Sequence, residues 1–160
     1  LTVDADAFHV PFGILRKVLS GACKRLFVTN RLFGSGNGEI RLFGSQVVAD
    51  FVSDSDLDAV FRHCHALVYP SLFEGFGYPP LEAMRYGKPV ICSNACSMPE
   101  ILGDAPIYFS PLYETAIFQA LQKLENTDYS DISKRSRQRY EAVNLRQEHD
   151  LRKLLNLLTV

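Results

Sequence analysis

The sequence predicts an α/β domain built on a Rossmann-like, doubly wound parallel sheet. From about Phe27 onward, short β-like runs alternate with helical stretches, which is the pattern of βαβ units. The run Ala-Leu-Val-Tyr at residues 66–69 is wholly apolar, as expected for a strand buried on both faces of a parallel sheet. The length of 160 residues suffices for one domain with a full core but seldom for two. We therefore expect a single domain over residues 1–160.

The first half of the chain supplies three predicted strands and one helix. The strands lie at residues 26–29, 40–43 and 47–51, with a hairpin around Asn37-Gly38 between the first two. Ser53-Asp54-Ser55-Asp56 offers N-cap candidates for a helix over about 56–63, in which Leu57, Val60 and Phe61 share one face.

The second half continues the alternation. Pro70 stops the apolar strand, and Pro80 suits the first turn of a helix because a proline there loses no intrahelical hydrogen bond. Gly87, followed by Lys-Pro, ends that helix. The remaining predicted elements are a strand at 90–92, a one-turn helix at 99–102, a strand at 107–109, and helices at about 113–124 and 131–157, the last with a break.

Charge and hydropathy exclude two classes of partner. The 17 basic residues are balanced by 18 acidic ones, so nothing indicates a nucleic-acid partner. No apolar run approaches the ~18 residues needed to cross a bilayer, and the start lacks the basic region of a signal peptide. We expect a cytoplasmic protein that meets a membrane, if at all, only through the rest of a full-length protein.

Four cysteines, at positions 23, 64, 92 and 96, are too few and too irregularly spaced for a disulfide framework. His63-Cys64-His65 could be combined with Cys92 and Cys96 into a metal site, but neither spacing is the C-x2-C of common zinc sites. We interpret the cysteines as reduced thiols that pack as small hydrophobes and expect no metal site.

The stretch SLFEGFGYPPLEAM, from Ser71 to Met84, carries the functional signal. It follows a predicted strand, and ligands of doubly wound sheets bind outside the carboxyl ends of strands. Gly75 and Gly77 remove side chains where backbone N–H groups must approach a ligand closely, and the helix near Pro80 points its positive end at the same place. The stretch therefore predicts a site for a phosphate or diphosphate.

The two carboxylates of this stretch, Glu74 and Glu82, need a different ligand because phosphate repels them. Carboxylates accept charge-assisted hydrogen bonds from hydroxyls, and sugars offer neighbouring hydroxyl pairs. Glu74 lies in the predicted loop and Glu82 in the predicted first helical turn, so they can address two ends of one elongated ligand. A nucleotide-sugar has this layout. The alternative is that Glu82 only complements the helix dipole and Glu74 is a solvated loop charge.

The register from Pro70 to Met84, followed by Gly87-Lys-Pro-Val and Ser97-Met-Pro-Glu-Ile, resembles the group 1 retaining glycosyltransferases of the GT-B fold, whose signature is E-x7-E. The resemblance implies the C-terminal half of a GT-B fold and transfer of a hexose from a nucleotide diphosphate sugar. It implies that Glu74 contacts the donor sugar near the reacting centre and that Glu82 holds the ribose. It places the phosphates on the segment Gly75, Phe76, Gly77 and Tyr78, and the base at Phe51, Val52 and Ser53.

Two features depart from the family pattern. An arginine and a lysine usually clamp the diphosphate, and Arg16-Lys17 is a candidate pair in a poorly matching context. The N-terminal, acceptor-binding domain of a GT-B enzyme is absent from this sequence, so we expect this fragment alone to be inactive. We expect no cofactor and no metal, because the loop amides and the helix N-terminus can carry the negative charge of the diphosphate and no aspartate cluster indicates a metal. The alternatives are a non-catalytic module that binds a nucleotide or nucleotide-sugar, and a sugar-nucleotide epimerase of the same fold.

Overall fold

A computed structural model describes residues 26–29, 40–43, 47–49 and 54–159 of the chain. The elements in this part of the chain are β1 (Leu26–Thr29), β2 (Ile40–Phe43), β3 (Val47–Ala49), α1 (Asp54–His63), β4 (Ala66–Tyr69), α2 (Tyr78–Arg85), β5 (Val90–Ser93), α3 (Met98–Leu102), β6 (Ile107–Phe109), α4 (Glu114–Glu125) and α5 (Tyr129–Leu158). The alternation of strands and helices from β3 onward confirms the predicted α/β class.

The strands form one six-stranded sheet in the order β3-β2-β1-β4-β5-β6. Strands β1, β4, β5 and β6 are parallel, with Leu67 opposite Val90 and Ile91 opposite Ile107. The chain moves outward in one direction from β1 to β3 and in the other from β4 to β6, so the order reverses between β1 and β4. Such a reversal creates a crevice at the carboxyl ends of the two central strands, which is where ligands bind in open α/β sheets.

Strand β2 departs from the parallel arrangement. It pairs antiparallel with both β1 and β3. The reason lies in the connection lengths, since residues 30–39 are too few for the crossover of roughly a dozen residues or more that parallel neighbours require. An antiparallel β1–β2 pair agrees with the predicted hairpin, whose turn at Asn37-Gly38 lies outside the described residues.

The core has two layers, one on each face of the sheet, because successive strand residues point to opposite faces. Leu67, Tyr69, Val90 and Cys92 pack with α1, α2 and α3 on one face. The other face is covered mainly by α4, and its buried residues are Ala66, Val68, Ile91, Ile107, Phe109, Ile117, Ala120, Leu124 and Ile132. Strand β4 is buried on both faces, as its apolar sequence predicts.

Helix α5 is a single helix of 30 residues, without the predicted break. It begins two residues earlier than expected, because Asp128 accepts a hydrogen bond from the backbone N–H of Ser130 and caps the helix. No proline or glycine occurs within it to interrupt the backbone ladder. Ile132 belongs to one core layer and Val143 to the other, so α5 connects the two faces of the sheet.

Candidate functional site at the carboxyl end of strand β4

The segment 70–77, which we call the glutamate loop, follows β4 and lies at the point where the strand order reverses. It is tied by hydrogen bonds to the last residue of β5 and to the connection that follows it. The Ser93 hydroxyl donates to the backbone oxygen of Ser71, and the Ser97 hydroxyl donates to the backbone oxygen of Glu74 over 3.0 Å. These bonds fix the backbone of the glutamate loop against its neighbour in the sheet.

The carboxylate of Glu74 is held by two hydroxyl groups from the residues just before it. Tyr69, the last residue of β4, donates its hydroxyl hydrogen bond to Oε1 of Glu74. Ser71 lies within hydrogen-bond distance of the same oxygen, at 3.2 Å, and of the backbone oxygen of Phe73, also at 3.2 Å. Glu74 is half-buried. The carboxylate of Glu74 is therefore held by hydrogen bonds to β4 and to its own loop, which disagrees with the interpretation of Glu74 as a freely solvated charge.

The Tyr69 hydroxyl stays protonated at any physiological pH. The pKa of Tyr69 is raised well above its ordinary value, first by burial of the side chain and then by its hydrogen bond to Glu74. Tyr69 therefore acts as a hydrogen-bond donor to the carboxylate and does not compete with it as a second anion.

The two glycines of the loop have different surroundings. Gly75 is exposed, and a Cβ built on it would meet no atom within 4 Å. Gly77 is buried, packs against Met98 and has a φ of +89°, which places it in the left-handed region at the N-cap of α2. Only Gly75 of the two opens space on the solvent side of the loop. The glycine at position 77 therefore has a packing role against Met98, and the approach of its backbone N–H group to a ligand stays a prediction.

The first turn of α2 presents few N–H donors. The helix begins at Tyr78, two residues before the predicted start at Pro80, so both prolines lie within its first turn. Prolines have no N–H group, so Tyr78 and Leu81 carry the N–H groups among the first four residues of the helix. An anion at this edge must therefore depend on loop amides more than the sequence pattern predicted.

The rings of Phe76 and Tyr78 pack together, with centroids 4.8 Å apart.

Glu82 lies in the second turn of α2, which corrects its predicted place in the first turn. The first turn contains no acidic residue. Because the effect of the helix dipole falls off within one turn, the position of Glu82 gives little support to a dipole role. Its side chain is exposed on the same side of α2 as Tyr78, one turn away, or roughly 6 Å along the axis. Glu82 therefore faces solvent beside the glutamate loop.

Sequence reasoning missed Tyr69, Ser71, Ser93 and Ser97 as parts of this site. One signal could have revealed the first of them: a tyrosine that ends an otherwise aliphatic, fully buried strand needs a partner for its hydroxyl. The serines carry no such signal, because serine is common in loops of every kind.

The structure does not describe five of the predicted site residues. Arg16, Lys17, Phe51, Val52 and Ser53 lie outside the described residues. Within residues 54–159, Cys64 and Cys92 are buried in the core and Cys96 is exposed. No group of three or more His, Cys, Asp or Glu residues in the described part of the chain is placed to hold a metal ion. None of the helices described there is long and apolar enough to cross a membrane.

Comparison with known proteins identifies a family. The model of the family described as glycosyl transferases group 1 matches residues 41–143. The O-antigen chain mannosyltransferase B of Escherichia coli is 41% identical over 101 residues, which are 62% of this chain and 25% of that protein. The serotype-specific mannosyltransferase WbdA of E. coli is 46% identical over 65 residues, 41% of this chain and 8% of that protein. The match thus spans a quarter or less of the length of these relatives.

A solved structure shares the fold. The sucrose-phosphate synthase of Thermosynechococcus elongatus superposes with a TM-score of 0.54 at 25% sequence identity, covering 68% of this chain and 30% of that one. This likeness confirms the predicted assignment to the GT-B fold.

Proposed function

Because the chain belongs to the group 1 glycosyl transferases, we propose that it is the donor-binding domain of a retaining glycosyltransferase that uses a nucleotide diphosphate sugar. Relatives named as mannosyltransferases support mannose as the transferred sugar. The acceptor site belongs, in this proposal, to an N-terminal domain of the full-length protein. A cytoplasmic location and independence from metals and cofactors are part of the same proposal.

The observation that carries the proposal is the construction of the 70–77 loop. It lies where the strand order reverses, its carboxylate is held by Tyr69 and Ser71, and the solvent side of Gly75 is open. Glu74 accepts hydrogen bonds from the hydroxyls of the sugar. The amides of Gly75, Phe76, Gly77 and Tyr78 bind the diphosphate. Glu82, one turn along α2, accepts hydrogen bonds from the ribose hydroxyls.

This arrangement lowers the reaction barrier in two ways. The loop and the two carboxylates hold the anomeric carbon and the diphosphate in a fixed relation to each other. As the bond between them breaks, negative charge grows on the diphosphate, and preoriented loop amides together with the N-terminal end of α2 stabilise it. Because the two prolines remove two helix amides, the loop amides supply most of this stabilisation.

Titration calorimetry of the 160-residue chain tests the proposal. The ligands are GDP, UDP and ADP, each also as its mannose conjugate, because the base contacts lie outside the described residues. We expect one base to be preferred. Glu82→Ala should weaken binding of the plain diphosphate about tenfold to hundredfold, since a charge-assisted hydrogen bond contributes about 1.5–3 kcal/mol.

Glu141→Ala is the matched control. Glu141 is also an exposed glutamate on a helix, but it lies on α5. Its replacement should leave every affinity unchanged. Binding of no nucleotide, or equal losses in Glu82→Ala and Glu141→Ala, would contradict the assignment of the ribose to Glu82.

A further inference from the structure

We propose that Tyr69, assisted by Ser71, is a positioning residue that holds Oε1 of Glu74 so that Oε2 is the oxygen that contacts the donor sugar. This inference rests on the proposed function, because it assigns a role to atoms beside the proposed sugar contact. It adds the residue that orients the carboxylate and the oxygen that does the binding.

Both side-chain donors to the carboxylate reach the same atom. Tyr69 donates its hydroxyl hydrogen to Oε1 of Glu74, and the Ser71 hydroxyl, whose single hydrogen is shared with the backbone oxygen of Phe73, lies 3.2 Å from the same carboxylate oxygen. Both side-chain hydrogen bonds that the carboxylate accepts from residues 54–159 end on Oε1 and none on Oε2. A carboxylate that accepts its hydrogen bonds from the described residues through one oxygen has a defined orientation, which a loop glutamate without such partners lacks.

Tyr69 is suited to this role because its own position is fixed. The side chain is fully buried, and its ring packs in the core layer that contains Leu67 and Met84. A buried tyrosine has two side-chain torsions, and both are fixed here by packing. The hydroxyl therefore occupies one position at the carboxyl end of β4, and its hydrogen bond orients the Glu74 carboxylate.

The backbone of the loop is held separately from the carboxylate. Ser97 donates to the main-chain oxygen of Glu74, and Ser93 donates to that of Ser71. Removal of the Tyr69 hydroxyl should therefore release the carboxylate while the loop stays in place. This separation allows positioning to be distinguished from general support of the loop.

The test measures Tyr69→Phe, alone and combined with Glu74→Ala, by calorimetry of the 160-residue chain. The probes are the preferred nucleoside diphosphate and its mannose conjugate. Tyr69→Phe should weaken binding of the conjugate about threefold to tenfold and leave that of the plain diphosphate unchanged, because only the sugar contact depends on Oε2. Combined with Glu74→Ala, it should add nothing to the loss caused by Glu74→Ala alone, since residues acting through one contact are not additive.

Tyr86→Phe is the matched control. Tyr86 also donates its hydroxyl to a carboxylate, that of Asp58, but it follows the C-terminal end of α2. It should leave both affinities unchanged. If Tyr69→Phe does not fold, as judged by circular dichroism, Ser71→Ala decides: a loss confined to the conjugate supports the inference, and unchanged affinity overturns it.

The outcomes separate this inference from the proposed function. Equal losses for both ligands in Tyr69→Phe would show that the tyrosine supports the loop as a whole, and additive losses with Glu74→Ala would show that it acts elsewhere. Either result overturns the inference while the donor site stands. If Glu74→Ala itself leaves conjugate binding unchanged, the proposed sugar contact fails and the inference fails with it.

Discussion

Gly77 lies against the end of the buried Met98 side chain, which would have to shift to admit a side chain at position 77. A Cβ on Gly77 would lie 2.5 Å from Cε and 3.0 Å from Sδ of the methionine. Gly77 also has a φ of +89°, a conformation that residues with a Cβ rarely adopt. The glycine therefore serves the packing of the loop on the first residue of α3.

Gly77→Ala should therefore destabilise the domain by about 1–3 kcal/mol, because the new methyl group meets Met98 and the backbone is strained. Gly75→Ala should change the free energy of unfolding by less than about 0.5 kcal/mol, since its Cβ points into open space. Gly75→Ala should nevertheless weaken nucleoside diphosphate binding if the loop amides hold the phosphates. Urea unfolding and calorimetry on both variants check this. Unchanged stability of Gly77→Ala would contradict the packing argument.

Arg139 on α5 ties the end of α3 to the domain. Its Nε donates to the backbone oxygen of Ile101 over 2.8 Å, and one terminal nitrogen donates to that of Glu100 over 2.9 Å. Arg139→Lys should destabilise the domain by about 1–2 kcal/mol, because an ammonium group cannot reproduce the two-pronged geometry.

The control for Arg139 lies on the same helix. Arg146 forms an exposed ion pair with Asp150 at 3.9 Å. Arg146→Lys should change the free energy of unfolding, measured in urea, by less than about 0.5 kcal/mol. Similar losses in the two variants would mean that the bonds to α3 contribute no more than a surface charge.

The buried thiol of Cys64 should make stability fall at alkaline pH. Burial raises the pKa of Cys64 from 9.0 to about 11. Between these values the unfolded chain releases the proton and the folded chain keeps it, so the free energy of unfolding decreases as pH rises, by up to about 1.4 kcal/mol per pH unit. The loss begins near the unfolded pKa and levels off above the folded one. Urea unfolding from pH 8 to 10.5 measures the slope.

Cys64→Ala should show a shallower slope over the same range, whatever its stability at pH 8. Cys96→Ala, at an exposed position, should keep the slope of the unmodified chain. The buried Cys92 acts in the same direction as Cys64, because burial raises its pKa too, so some slope should persist in Cys64→Ala. An identical slope in all three proteins would show that Cys64 does not titrate as its burial requires.

Ser136 is fully buried on α5, and its hydroxyl has no hydrogen-bond partner in the described part of the chain. Ser136→Ala should therefore stabilise the domain by about 0.5–2 kcal/mol, because it removes an unpaired buried polar atom and introduces a better helix former. Thermal unfolding measures the change. Ser133→Ala, one turn earlier and half-buried, serves as the comparison for helix propensity alone. A destabilised Ser136→Ala would indicate that the hydroxyl has a partner.

Strands β4 and β6 could be predicted from the sequence to the residue, and β5, which contributes Ser93 to the site, to within one residue. Residues 66–69 and 107–109 are short apolar runs, and Pro70 marks the end of the first. A strand that is buried on both faces of a parallel sheet consists of such an apolar run, so the run predicts the strand closely. The direction of β2 could not be read from its composition, because parallel and antiparallel strands have similar residues and the connection length decides between them.

The start of α2 and the hydrogen bonds of the glutamate loop could not be predicted from the sequence. Both Tyr78 and Pro80 could begin α2, and the choice depends on Gly77 adopting a left-handed conformation against Met98, a contact between distant parts of the chain. That shift by two residues moves Glu82 out of the first turn. The bond between Tyr69 and Glu74 likewise depends on how the chain bends at Pro70, which no local pattern specifies.

The path of α5 across both faces of the sheet has a consequence for cooperativity. With Ile132 in one core layer and Val143 in the other, neither layer can open while α5 stays in place. Amide hydrogen exchange in α5 should therefore be as slow as in β4 and β5 up to about Val143, and governed by global unfolding. Beyond it, where Leu151, Leu154 and Leu158 are exposed, exchange should be much faster, as the helix frays without opening the core.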